Sequence, residues 1–266
     1  MTQQRTAGAG SKIRLADFDP AHTSGLDKPA ARQEMQANIK AMARLAYKLY
    51  AERRRAVLLI LQGMDSAGKD GTLRHVLSGV SPQSCQVVSY RTPTEEELRH
   101  DFLWRVHRNA PAHGYIGIFN RSHYEDVVVV RVRKLAPEKV WRPRYDEIND
   151  FERLLVRSGT TVIKCFLHIS KHEQAKRLQR RLDDPHRRWK FDRSDLEDRE
   201  RWDDYQQAYE EALTRTNTDE APWHIVPADH KWHRNWFVSR LLRKTLEKMD
   251  PQYPEPATDL EGVKIE

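Results

Sequence analysis

The sequence predicts an α/β fold in which helices cover both faces of a parallel sheet of about five strands. Short apolar runs alternate along the chain with longer amphipathic or charged segments, an alternation typical of strands and helices in a parallel sheet. The first run, residues 56–61, is apolar throughout, as expected for a central strand buried on both faces. A glycine-bearing turn over residues 63–71 follows it directly and indicates a phosphate site.

The elements are expected in a regular order. Residues 1–28 are polar and contain several glycines and serines, which predicts an N-terminal arm before a single domain over 29–266. Apolar residues spaced by three and four predict a first helix over 28–55. Strands are predicted at residues 56–61, 86–89, 115–119, 161–167 and 223–227, and further helices at residues 72–77, 94–108, 138–156 and 232–249.

Residues 171–215 interrupt this alternation. They predict two strongly charged helices around Asp183, Asp184 and Pro185, with a turn at residues 189–191. An insertion so rich in arginine and lysine, placed between two strands, is typical of a lid that closes over a ligand. We therefore expect a helical lid here and not a layer of the core.

The composition of the chain excludes some classes of protein and favours others. The chain has 266 residues and carries 46 basic against 39 acidic side chains, a formal charge of +7 that favours polyanionic partners. No apolar run approaches the roughly 18 residues that a membrane span needs. The chain opens without an apolar leader, and it has only two cysteines, Cys85 and Cys165. These features predict a cytoplasmic protein without a disulfide framework or a membrane partner.

The turn after the first strand reads GMDSAGKDGT, residues 63–72. Gly63, Gly68 and Lys69 have the spacing of a P-loop, whose backbone N–H groups bind a phosphate and whose lysine reaches the outer phosphoryl oxygens. The predicted phosphate-binding residues are Ser66, Ala67, Gly68, Lys69, Asp70, Gly71 and Thr72.

This loop departs from the usual pattern at two positions. Asp70 stands where P-loop NTPases carry the Ser or Thr that binds Mg²⁺, and Thr72 does not replace it in register. Asp65 is an unusual carboxylate inside the loop. It is a candidate to bind Mg²⁺ or to orient the attacking phosphate oxygen, and the alternative is that it caps the following helix.

The third predicted strand ends in charged residues, at the sheet edge where open α/β folds bind ligands. Arg121 follows that strand, and its guanidinium suits a phosphate. Asn120 stands where a carboxylate is expected, and Glu125 or Asp126 could supply the missing charge. His123 has no partner at metal-ligand spacing, which favours a hydrogen-bonded structural residue over a metal ligand.

Basic residues form two further groups. Arg105 lies on the helix before the third strand, at the position of an arginine that binds the acceptor phosphate in nucleotide kinases. In the insertion, Arg177, Arg180 and Arg181 share a helical face, and Arg187, Arg188 and Lys190 follow. The alternative for this second group is a solvated face of salt bridges.

Four motifs together, GMDSAGKDGT, PTEEELRHDFLWRVH, IFNRSHYEDV and RRLDDPHRRWKF, resemble the second family of polyphosphate kinases. They occur in the family's order, and the resemblance runs from about residue 17 to the last helix. It implies a P-loop kinase fold like that of thymidylate kinase, with three α/β/α layers. It also implies transfer of a phosphoryl group from inorganic polyphosphate to a nucleotide with Mg²⁺.

The resemblance also assigns residues. Asp65 and Lys69 match the family's catalytic pair in the Walker A loop. Arg121 matches the arginine of the family's Walker B motif, and Arg105 matches the arginine on the preceding helix. Many members read FDRSWYNR where this chain reads FNRSHYED, so a carboxylate moves from the strand end to Glu125. That change resembles the subgroup that uses both AMP and ADP.

The resemblance therefore implies three sets of site residues. The expected catalytic residues are Asp65, Lys69 and Arg121, and the expected metal ligands are Asp65 and Glu125. The expected nucleotide-binding residues are Arg105, Asn120, Arg121, Glu125, Arg181, Arg187, Arg188 and Lys190.

We therefore expect a polyphosphate-dependent kinase that converts AMP to ADP and ADP to ATP. Its expected partners are inorganic polyphosphate, adenine nucleotides and, as a homo-oligomer, other copies of the chain. An ATP-dependent nucleoside monophosphate kinase of the same fold is the alternative. A nucleic-acid-binding protein is disfavoured, because it would leave the P-loop unexplained.

Overall fold

The sheet of the computed structural model has five strands in the order β2-β3-β1-β4-β5, and all its neighbouring strands are parallel. The structure describes residues 10–256 and 264–265, so residues 1–9 of the predicted arm and part of the C-terminal tail lie outside it. The strands are β1 (Ala56–Gln62), β2 (Cys85–Ser89), β3 (Ile116–Asn120), β4 (Thr160–His168) and β5 (Trp223–Pro227). The predicted α/β class and number of strands are confirmed.

Ten helices accompany the strands in the described ranges. They are α1 (Lys28–Glu52), α2 (Lys69–Val76), α3 (Trp104–His107), α4 (Glu125–Val132), α5 (Glu138–Trp141), α6 (Arg144–Arg157), α7 (Lys171–Asp183), α8 (Ser194–Glu200), α9 (Trp202–Arg215) and α10 (Lys231–Met249). Helices α1, α2 and α10 pack together, as do α4, α6 and α9. Between these two groups every residue of β1 is buried, as its apolar sequence predicts. No helix in this part of the chain is long and apolar enough to cross a membrane.

The strand order decides where a ligand can bind. Leu61 of β1 lies opposite Asn120 of β3, so the two strands end side by side. The loop after β1 and the turn after β3 therefore meet at the carboxyl edge of the sheet, which is the usual ligand position in open α/β folds.

Two helices predicted as continuous are not. Residues 94–108 form only a 3₁₀ turn at Glu97–Arg99 and the short helix α3. The capping box exists, since the Glu97 N–H donates to Thr94 Oγ1 and the Thr94 N–H to the Glu97 carboxylate, but Asp101 then accepts from the Leu103 N–H and interrupts the helix. The predicted helix over 138–156 is divided into α5 and α6 at Pro143, which has no N–H to continue the ladder.

The insertion over 171–215 also differs from its prediction. It forms three helices, α7, α8 and α9, and not two. Helix α9 buries Tyr205, Ala208, Tyr209 and Leu213 in the main core, because its apolar residues recur every three or four positions. This helix is a layer of the core, contrary to expectation. The predicted lid is therefore restricted to the exposed turn between α7 and α8, and its closure over a ligand stays a prediction.

The described part of the arm is attached to the same helix. Ile13 and Leu15 are buried, and the Leu15 N–H donates to the Glu210 carboxylate over 2.7 Å. The Ile13 N–H donates to Thr214 Oγ1 over 3.0 Å. Residues 13–15 therefore belong to the packing of α9.

Candidate active site

The loop between β1 and α2 has the backbone of a phosphate site. Gly63 and Gly68 have φ of 146° and 107°, which favour glycine, and a side chain at Gly63 would lie 2.7 Å from the Leu167 carbonyl oxygen. Ser66 also has a positive φ, 64°. Its hydroxyl is buried and has no hydrogen-bond partner among the described residues. A buried hydroxyl without a partner in a glycine-bearing loop is suited to an anionic ligand.

Lys69 is folded back onto this loop. Its Nζ donates to the Gly63 carbonyl oxygen over 2.6 Å and to that of Met64 over 3.3 Å. Burial, together with the positive charge of Arg121, lowers the pKa of Lys69 to about 8. A phosphate bound in the loop would favour the charged form of the lysine and oppose this shift.

Arg121 joins two carboxylates above the loop. One guanidinium nitrogen donates to the Asp65 carboxylate, and the other donates to Glu125 Oε2 over 3.0 Å. Although burial pushes the pKa of Asp65 upward, the charges of Arg121 and Lys69 hold it below its usual value. The negative charge of Glu125, and to a smaller extent that of Asp65, raises the pKa of Arg121. The sequence predicted Asp65, Lys69, Arg121 and Glu125 as one site, and the structure brings them together.

Asp70, the unusual residue after Lys69, also has a side-chain partner. Asp70, in the first turn of α2, accepts a hydrogen bond over 2.7 Å from Asn120 Nδ2 at the end of β3, so the two unusual residues bind each other. Lys190 Nζ lies 3.9 Å from the other oxygen of Asp70. The turn between α7 and α8 thus reaches the phosphate loop.

Two residues of the predicted sites have their side chains engaged elsewhere. Arg105 is buried, with Nη2 at 3.3 Å from Asp126 Oδ2 and Nη1 donating to the Arg91 carbonyl oxygen. Thr72 is buried as well, and its hydroxyl donates to the Gly68 carbonyl oxygen inside α2. A nucleotide-binding role for Arg105 stays a prediction, and any contact of Thr72 with phosphate would be through its backbone.

The basic residues of the insertion divide into three sets. Arg177 is buried against the phosphate loop, so it does not belong to a solvated face of salt bridges, the alternative considered for this group. Arg181 pairs with Asp195 over 2.9 Å. Arg187 and Arg188 are exposed; Arg187 pairs with Asp184 just after α7, and Arg188 donates to the Leu182 carbonyl oxygen at the end of α7. Their binding to nucleotide stays a prediction.

Sequence reasoning missed the wall opposite the loop. Gly63, Asp65, Arg121, Glu125, Tyr205 and Tyr209 line one narrow cavity, together with Asp198. Tyr205 and Tyr209 lie four residues apart on α9, a spacing that could have indicated one helix face. Asp195 is buried near Asp65, and burial and that neighbouring charge raise its pKa to about 6.

The acidic residues fit a cation that substrate phosphates help to bind. No group of three metal-ligating side chains occurs within the described ranges. Mg²⁺ is usually held in proteins by one or two carboxylates plus phosphates and water, so a full protein cage is not required. Asp65 and Glu125, the two carboxylates of the predicted metal site, lie close together because both pair with the Arg121 guanidinium.

A parallel sheet of this strand order, with a glycine loop and lysine after the central strand and an arginine at the adjacent strand end, defines a P-loop kinase. The family model described as "Polyphosphate kinase 2 (PPK2)" matches residues 25–254. The chain belongs to this family and is a polyphosphate-dependent kinase.

Individual relatives agree along the whole chain. An AMP/ADP-polyphosphate phosphotransferase of Meiothermus ruber is 51% identical over 257 residues, 96% of each chain. An ADP-polyphosphate phosphotransferase of Rhodopseudomonas palustris is 44% identical over 96% of this chain and 92% of that protein. The crystal structure of polyphosphate kinase 2 from Arthrobacter aurescens TC1 superposes with a TM-score of 0.91 at 42% identity, covering 96% of this chain and 95% of that one.

Proposed function

We propose that this protein phosphorylates both AMP and ADP from inorganic polyphosphate, with Mg²⁺, at the site formed by Asp65, Lys69, Arg121 and Glu125. The single observation that carries the proposal is the Arg121 guanidinium, held between Asp65 and Glu125 above the phosphate loop. A similar relative is named for both acceptors, which supports the same range here.

The chemistry needs positioning and charge more than a strong base. An oxygen of the acceptor phosphate, already anionic near neutral pH, forms a bond to the terminal phosphorus of polyphosphate. The bond from that phosphorus to the bridging oxygen breaks, and the polyphosphate leaves one residue shorter. We assign the loop N–H groups and Lys69 to the donor, and Arg121 to the transferred phosphoryl group, whose charge a guanidinium stabilises.

Asp65 and Glu125 are the proposed Mg²⁺ ligands. They would hold a cation whose positive charge neutralises the substrate phosphates. In the structure both carboxylates bind Arg121, and this contact aligns the guanidinium with the loop. Asn120 and Asp70, bound to each other, are proposed to hold the neighbouring edge of the acceptor site.

The test is a transfer assay with each combination of donor and acceptor. Purified protein and Mg²⁺ are incubated with polyphosphate or ATP as donor, and with AMP, ADP, GMP or GDP as acceptor. We expect ADP from AMP, and ATP from ADP, only with polyphosphate. Transfer from ATP to AMP without polyphosphate would instead favour a nucleoside monophosphate kinase, and transfer to ADP alone would remove AMP from the proposal.

A variant of the loop connects this activity to the site. We predict that Lys69→Ala lowers kcat at least about a hundredfold, because its ammonium stabilises charge that develops in transfer. Lys244→Ala, an exposed lysine of α10, is the control and should keep full activity. Near-normal turnover by a folded Lys69→Ala protein would exclude this loop as the donor site.

We also propose a location and an assembly state for this protein. Cys85 and Cys165 are both free thiols in the structure, which supports the cytoplasmic location predicted from the sequence. A homo-oligomer is also proposed. Sedimentation of the purified protein tests it, and a monomer at all concentrations would contradict it.

A further inference from the structure

Two buried arginines contact the phosphate loop from outside the predicted site. Arg234 of α10 is only 2% exposed, and its Nη1 donates to the Ala67 carbonyl oxygen over 2.9 Å. Arg177 of α7 donates to the carbonyl oxygens of Ser66 and Ala67 over 3.0 and 2.9 Å. Because guanidinium groups bind these carbonyl oxygens, the loop is held in one conformation from two neighbouring helices.

Arg234 is packed closely against the start of α2. A Cβ at Gly68 would lie 1.8 Å from Arg234 Nη1, and one at Gly71 would lie 3.2 Å from Nη2. Gly68 therefore has a second reason to be glycine besides its positive φ. The guanidinium occupies the space that a side chain would take, within the turn that is assigned to the donor phosphate.

The two arginines differ in their counter-charge. Arg177 pairs with Glu173 over 2.8 Å. Within the described part of the chain Arg234 pairs with no carboxylate, and its other donors go to Asn235 Oδ1 at 3.2 and 2.9 Å. Burial and the like charge of Arg177 lower the pKa of Arg234 to about 9. A buried guanidinium with neutral partners only is unfavourable in the free protein.

We propose that Arg234 is a positioning residue of the donor site, whose buried charge takes the phosphate bound in the loop as its counter-ion. The proposal rests on the proposed function, since it needs an anion in this loop. Arg234 does not itself touch the transferred group. It fixes the loop carbonyl oxygens behind the site, and its charge attracts the anion in front of it. A phosphate ligand then relieves a cost that the free protein carries.

The experiment separates this role from a purely structural one. Arg234→Gln removes the charge but keeps a donor for the Ala67 carbonyl oxygen, and Arg234→Lys keeps the charge. The matched control is Arg243→Gln on the same helix, where the guanidinium pairs with Glu247 over 3.1 Å. Thermal unfolding is measured with and without tripolyphosphate in the absence of nucleotide, and kcat and KM for polyphosphate are measured separately.

We expect Arg234→Gln to unfold at the wild-type temperature or above it without ligand. Its stabilisation by tripolyphosphate should fall strongly, with affinity reduced about tenfold or more and KM raised more than kcat is lowered. Arg234→Lys should keep most of the affinity, and Arg243→Gln all of it. If Arg234→Gln is too unstable to purify, Arg234→Lys and Arg177→Gln are compared instead.

Two results would overturn this proposal while leaving the proposed function intact. Arg234→Gln could unfold earlier than wild type yet gain as much stability from tripolyphosphate, which is the behaviour of a structural residue. In the substitute pair, unchanged affinity in Arg177→Gln together with lost affinity in Arg234→Lys would show that geometry matters and charge does not. A wild-type protein that tripolyphosphate does not stabilise would instead contradict the proposed function, and this inference with it.

Discussion

At the residue scale, the site is a set of charges that are only partly neutralised. Arg121 is shared by Asp65 and Glu125, and its side chain remains 37% exposed. Asp195 and Asp198 lie buried on α8 beside the same site, and Arg181 and Arg133 pair with them. Under the proposed function, substrate phosphates and a cation would bind here by exchanging partners among charges that the protein already holds in place.

Asp195 gives a testable pH dependence. Its pKa is raised to about 6 from the ordinary value of 3.8, so the folded state holds a proton between these values that the unfolded chain has lost. Stability from this group is therefore present below pH 3.8 and is lost as the pH rises through 6. We predict that Asp195→Asn matches wild type near pH 4 and exceeds it at pH 7 by up to about 3 kcal/mol.

Denaturant unfolding across this pH range checks the prediction, with the exposed position Asp183→Asn as control. A constant difference between Asp195→Asn and wild type at all pH values would show that this carboxyl does not titrate there. A variant less stable than wild type at pH 7 would show that its pair with Arg181 outweighs the cost of burial.

Glu125 is the second residue with a distinct expectation. If it binds Mg²⁺ beside the acceptor, Glu125→Gln should raise the Mg²⁺ requirement and lower kcat by roughly tenfold or more. The loss should be larger for AMP than for ADP, because AMP brings only one phosphate to the cation. Mg²⁺ titrations with each acceptor measure this, and Glu138→Gln, at an exposed helix pair, serves as control. Coincident titration curves for Glu125→Gln and wild type would leave Asp65 as the main protein ligand.

At the scale of elements, a buried network fixes the turn that carries Arg121 and Glu125. Glu152 of α6 accepts hydrogen bonds from the Tyr124 hydroxyl over 2.8 Å and from Lys164 of β4 over 2.7 Å. His123 Nε2 lies 3.3 Å from the same carboxylate and is fully buried, which confirms its interpretation as a structural residue. The turn can hold Arg121 at a φ of 61° because this network anchors the residues just after it.

The turn between α7 and α8 is exposed and, among the described residues, is not fixed by a buried network. Arg187 makes an exposed ion pair there and Arg188 an exposed hydrogen bond, and an exposed ion pair contributes at most about 1 kcal/mol. We predict that replacing Arg187, Arg188 and Lys190 together by Gln raises the KM for substrate about tenfold and lowers the unfolding temperature by only a few degrees.

The matched control removes three exposed charges elsewhere. Arg142, Arg153 and Arg215 each pair with a carboxylate three or four residues earlier in the chain, and their joint replacement by Gln changes the net charge equally. An equal rise of KM in both triple variants would assign the effect to net charge. An unchanged KM with clear loss of stability in the first would make the turn a solvated face and not a lid.

At the scale of the whole molecule, the formal charge of +7 favours a polyanionic donor over a small acceptor. We predict that the KM for polyphosphate rises with salt more steeply than the KM for AMP, since the Debye length falls from about 10 Å at 0.1 M to about 3 Å at 1 M. Both constants are measured at fixed Mg²⁺ and pH. Equal slopes for the two substrates would show that the overall field does not distinguish them.

The amino-acid sequence was sufficient to predict the α/β class, the five strands and the phosphate loop, because each depends on local signals: a continuous apolar run, a glycine spacing and a charged strand end. It also placed Asp65, Lys69, Arg121 and Glu125 in one site, since parallel strands end at one edge. In contrast, the packing of α9 in the core and the contacts of Arg177 and Arg234 with the loop became evident from the three-dimensional structure. Those roles depend on contacts between residues more than 100 positions apart, such as Arg234 with Ala67, and on burial, which turns an arginine on a charged helix into a buried cation.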